Sequence, residues 1–166
     1  LLSALYKSMA PKGVIRIIVP DAEFIINKLK QNKLDYFAPM YSIFDFNNVY
    51  ELNSLDFLYH LLSTPRCRFI NKKLNKDYSE DEYLLLEKSN QEIIDFCNNH
   101  NFVNNKEGSF HLSCYSSKCM MDILKKVGFS EVNLSAFMQS DCLILRDVPT
   151  FDGTHPWYST YIEAIK

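Results

Sequence analysis

Apolar positions at Leu2, Leu5, Tyr6 and Met9 recur at i, i+3, i+4 and i+7, which predicts the last turns of an amphipathic helix stopped by Pro11 and Gly13. The stripe is complete at residue 2, so the expected helix begins before residue 1. Val14 to Val19 is then apolar except for Arg16, rich in β-branched residues, and bounded by Gly13 and Pro20. That run suits a strand covered on both faces. Asp21 is placed to cap a helix whose apolar side is Phe24, Ile25 and Leu29. Helix, strand and helix in this order make part of an α/β unit.

The pattern turns helical between Pro39 and Asn105. Leu55, Leu58, Tyr59 and Leu62 form one stripe, and Ser79 with Glu82 forms a capping box for a helix expected to run toward Cys97. The α/β signal then returns. Met120, Ile123, Leu124 and Val127 repeat the helical stripe, with Gly128-Phe129 as a glycine C-terminal cap and its apolar follower. Val132 to Phe137 and Tyr158 to Ile165 read as strands, joined by a long connection that contains Pro149, Gly153 and Pro156. The expected organisation is a sheet domain at 1–38 and 106–166, interrupted by a helical cap at 39–105.

Composition narrows the class. With 166 residues, 47% of them hydrophobic, the chain can bury a core of its own. Eighteen basic and twenty acidic side chains leave a net charge of −2, so no overall field draws it to nucleic acid or an anionic membrane. Arg66, Arg68, Lys72, Lys73 and Lys76 around Phe69 could hold RNA phosphates, but Glu80 to Glu82 follow closely and favour a solvated face. No apolar run reaches the roughly 20 residues that span a bilayer. Five cysteines at irregular spacing, with no Cys-x-x-Cys pair, fit reduced thiols and no metal, and the expectation is a soluble cytoplasmic protein.

The segments "SALYKSMAPKGVIRIIVPD", "GSFHLSCYSSKCMMDILKKVGFSEV" and "LRDVPTFDGTHPWYSTYIEAIK" together resemble the C-terminal half of class I S-adenosylmethionine-dependent methyltransferases. In that family an "LKPGG"-like turn leads into the fifth strand, matched by Met9 to Gly13, and "VPD" closes it. An "H…Y…L…L…AGF" helix is matched by His111, Tyr115, Ile123, Leu124, Val127, Gly128 and Phe129, and a final "YVEAxK" strand by Tyr161 to Lys166. The resemblance implies an α/β fold, the C-terminal half of a Rossmann-like sheet in which strands five, seven and six are neighbours and the last is antiparallel, plus a helical insertion. It implies methyl transfer to a small polar acceptor, for which a sugar-like hydroxyl is a candidate, with S-adenosylmethionine as cofactor. The family's glycine-rich loop is missing: Gly13, Gly108, Gly128 and Gly153 are isolated from one another. The cofactor-binding half is therefore expected upstream of Leu1, and this chain alone is expected to be inactive.

The candidate chemistry is tied to strand ends. Asp21 follows a strand read as parallel, where open α/β sheets bind ligands, though a plain helix N-cap explains it as well. The resemblance puts His111 and Tyr115 on the acceptor pocket, so Asp21, His111 and Tyr115 form the expected catalytic group, with His111 as a general base or else a hydrogen-bonded loop histidine. Arg146, Asp147, Asp152 and His155 crowd one loop between strands and are candidates for binding the acceptor, or for shaping the loop. Two readings compete with a methyltransferase: a non-catalytic Rossmann-like subunit that binds a partner, and another nucleotide-using Rossmann enzyme.

Overall fold

A computed structural model describes residues 1–40, 52–63, 78–104, 113–151 and 155–166. His111, Asp152 and the basic run from Arg66 to Lys76 lie outside them. The chain divides into two compact units, Leu1–Asp21 with Tyr115–Lys166, and Ala22–Cys114. The helix after Asp21 thus groups with the helical residues rather than with the sheet.

The first unit is α/β, with a small open sheet of three antiparallel-paired strands: β1 (Val14–Pro20), β2 (Glu131–Ser135) and β3 (Ser159–Ile165) in the order β1-β3-β2. The last strand of the chain is the middle one and runs antiparallel to both neighbours, as the resemblance implies. Pairs run from Val14↔Ile165 to Pro20↔Ser159 on one side and from Glu131↔Ile165 to Ser135↔Tyr161 on the other. Alternation of side chains then gives the sheet two unlike faces. Ile15, Ile17, Val132, Ile162 and Ala164 pack with α1 (Leu2–Ser8) and α6 (Ser117–Val127) through Tyr6, Met120, Leu124 and Phe129. Arg16, Asn133, Ser135, Tyr161 and Glu163 occupy the other face.

α6 is delimited by local chemistry. Ser116 Oγ accepts the Cys119 N–H at 3.2 Å, and Gly128 ends the helix in the left-handed region at φ 116°. Phe129 follows it into the core, where its ring meets Tyr6 edge-on at 5.0 Å.

Two strand expectations change. β1 is half-buried along its whole length rather than buried, because β3 is its only strand partner among the described residues. β2 stops at Ser135 instead of Phe137, since Ala136 to Gln139 close a turn, with the Gln139 N–H donating to Ala136 O at 2.9 Å.

The second unit is helical. α2 (Ala22–Lys30) packs on α3 (Ser54–Leu62) and α5 (Asn90–Asn104), burying Ile25, Ile26, Leu55, Leu58, Leu62 and Ile93. The capping box at Ser79 and Glu82 is formed, but its helix α4 (Glu80–Tyr83) is short and passes into a 3-10 turn at Leu84–Glu87. Lys88 is extended, and a second box then starts α5: the Ser89 N–H donates to Glu92 at 2.9 Å and the Glu92 N–H to Ser89 Oγ at 3.3 Å. The expected single helix is two, divided where Ser-x-x-Glu recurs. Among the described residues, no helix is long and apolar enough to cross a membrane.

Candidate functional site

β1 and β2 both oppose β3, so their carboxyl ends and the start of β3 share one rim of the sheet. Asp21 stands there. Its N–H donates to Tyr158 O at 2.9 Å, which carries the β1-β3 pairing one residue further, and its backbone forms an isolated parallel bridge with Tyr115. Tyr115 immediately precedes the Ser116 cap of α6 and is partly buried against the core. Two of the three expected catalytic residues are thus brought together by backbone pairing.

On the same rim His155, Trp157 and Tyr158 cluster, with the His155 ring 5.2 Å from Trp157 and 5.3 Å from Tyr158. Burial pushes the Tyr158 phenol up to about 12. His155 is packed among aromatic rings and Asp147 is engaged in local structure: its carbonyl accepts the Thr150 and Phe151 N–H groups at 3.2 and 2.8 Å, and its carboxylate accepts the Thr150 hydroxyl. Asp147 thereby starts the short helix α7 (Val148–Phe151).

Arg146 lies elsewhere, on a cavity of about 400 Å³ beside β2 that also touches Asn133, Ser135, Asp141 and Glu163. Its wall is fastened to the sheet by Arg16. The Arg16 Nη1 donates to Ser135 Oγ at 2.9 Å, Gln139 O at 2.7 Å and Glu163 Oε1 at 2.7 Å, and Nη2 donates to Ala136 O at 2.7 Å. The Arg16 and Glu163 side chains are only 3% and 7% exposed, and the guanidinium also lies 4.9 Å from the Tyr161 ring centre. Glu163 Oε2 accepts the Asp141 N–H at 3.1 Å. A buried pair of this kind contributes little net stability compared with apolar packing, but it holds whatever it bonds in one geometry. Here it holds the Ala136–Gln139 turn.

Sequence reasoning missed this pair, and a signal for it existed. Arg16 and Glu163 are the lone charges inside two apolar strands, and the register sets them opposite each other.

In the second unit a hydrogen bond with Cys114 and burial both raise the Cys97 thiol well above its ordinary range, which makes it a poor nucleophile. Asn98 fastens Cys114 by both backbone groups, at 2.7 and 3.1 Å. Among the described residues, no group of three His, Cys, Asp or Glu side chains could hold a metal ion.

No protein-family model matches the chain, and neither a curated protein nor a solved structure does.

Proposed function

We propose that the chain is the acceptor side of an S-adenosylmethionine-dependent methyltransferase acting on a small polar acceptor, for which a sugar-like hydroxyl is the candidate. The observation that carries this reading is the sheet order: the final strand lies antiparallel between β1 and β2, as strand seven does between five and six in the family that the sequence resembles. The meeting of Asp21 with Tyr115 at the strand ends supports an acceptor site on that rim. In this reading either the Asp21 carboxylate or His111 takes the acceptor's proton, Tyr115 orients it, and Asp147, Asp152 and His155 contribute binding contacts, while Arg146 stands apart on the cavity beside β2.

Among the described residues, the glycines do not form a cradle for the cofactor. A Cβ on Gly13 would come within 2.9 Å of Ala10 O, and Gly128 faces the Tyr6 ring, so both glycines serve turns packed against the chain itself. The reading therefore assigns the cofactor to residues outside these 166, and the chain supplies only the acceptor's surroundings. Calorimetry with S-adenosylmethionine tests it on the 166-residue chain and on a longer gene product that includes it. Binding is expected for the longer protein alone. Binding by the short chain overturns the placement of the cofactor, and absence of binding by the longer protein favours a non-catalytic partner-binding subunit.

A further inference from the structure

We propose that the cavity beside β2 is a binding site for a small zwitterion that carries a carboxylate and an ammonium group, of the α-amino acid class. The inference is independent of methyl transfer. The volume, about 400 Å³, suits a small molecule. Three charged residues line the space, and one of them is neutralised: Glu163 is bonded to Arg16 at 2.7 Å. The remaining two are Arg146 and Asp141. Arg146 commits its Nε to Ser140 O at 2.7 Å, which fixes the guanidinium plane and leaves both terminal nitrogens as donors. Asp141 is held through its backbone N–H by Glu163, so its carboxylate keeps its accepting capacity. Among the described residues, neither forms an ion pair, with the other or with any third group.

A guanidinium and a carboxylate on the walls of one cavity complement a ligand of opposite polarity, with its carboxylate on Arg146 and its ammonium on Asp141. A simple anion would meet Asp141, and a simple cation Arg146. The apolar part of the ligand has a place too, since Met138 lines the cavity and is 54% exposed. Met138 sits at φ 59°, a left-handed conformation that is unfavourable for a non-glycine residue of this kind. The bonds of Arg16 to Ala136 O and Gln139 O, on either side of it, hold the turn that imposes this conformation. The wall is thus set before any ligand arrives, which lowers the ordering cost of binding.

The test uses three probes that differ in one charge each: L-leucine, L-leucinamide without the carboxylate, and N-acetyl-L-leucine without the ammonium. Calorimetry and amide chemical-shift mapping should show L-leucine binding with shifts at residues 133–141, and about tenfold weaker binding, or none, for the other two. Arg146→Gln and Asp141→Asn, both exposed positions, should each weaken L-leucine by about tenfold or more with unchanged circular dichroism. No shift with L-leucine at about 10 mM, equal binding of all three probes, or an unaltered affinity in Arg146→Gln overturns the assignment.

Discussion

Asp21 and Tyr115, far apart in sequence, are joined by a parallel backbone bridge at the end of β1. The bridge is made by main-chain atoms, which a side-chain substitution leaves in place. Asp21→Asn separates the two roles open to Asp21, because asparagine caps a helix about as well as aspartate but cannot take a proton. The expected result is an unchanged melting temperature and about 10²-fold slower methyl transfer in the protein that carries the activity. Equal turnover would leave Asp21 a cap.

Glu163→Ala should be severe. It leaves the buried Arg16 guanidinium without its carboxylate and frees the Asp141 N–H, and removing one partner of a buried pair costs about 3–5 kcal/mol. Replacing both, as Arg16→Met with Glu163→Leu, should cost less than the single change. Urea denaturation of the three variants decides it, and a single variant as stable as the parent would show the pair to be dispensable.

Gly128→Ala should destabilise the chain by about 1–2 kcal/mol, since the φ of 116° is strained for any L side chain. Space is not the obstacle: the added Cβ would meet Tyr6 Cζ at 3.4 Å, an ordinary contact. Asparagine, which tolerates the left-handed region better, should lose less than alanine in thermal unfolding.

Alkaline pH should weaken the fold through Tyr158. Its phenol is pushed up to about 12 by burial, against about 10 in an unfolded chain, so the neutral form is the one the fold favours. Its contribution is complete below about pH 10 and is lost as the pH rises toward about 12. Tyr158→Phe should flatten that limb of the stability profile, measured by urea midpoints across the window. An identical slope in the variant would assign the alkaline loss to other groups.

Elements whose ends are written in a few neighbouring residues were legible from the sequence alone. The apolar stripes of α3 and α6, the Ser79–Glu82 box and the left-handed Gly128 follow from short-range sterics and hydrogen bonds. The limits that failed were local as well: Ser89–Glu92 repeats the signal of Ser79–Glu82, and Met138 turns where a glycine or asparagine is usual. The order of the strands came from the resemblance, not from periodicity, because a pattern of apolar residues says that a strand has a buried face and not which strand lies beside it. What only the tertiary structure decided are the contacts with no sequence spacing: the Asp21–Tyr115 bridge, the register that sets Arg16 against Glu163, and the cavity that Arg146 and Asp141 share. Each depends on strands aligned from opposite ends of the chain, and a lone charge in an apolar strand shows that a partner is needed without showing which residue supplies it.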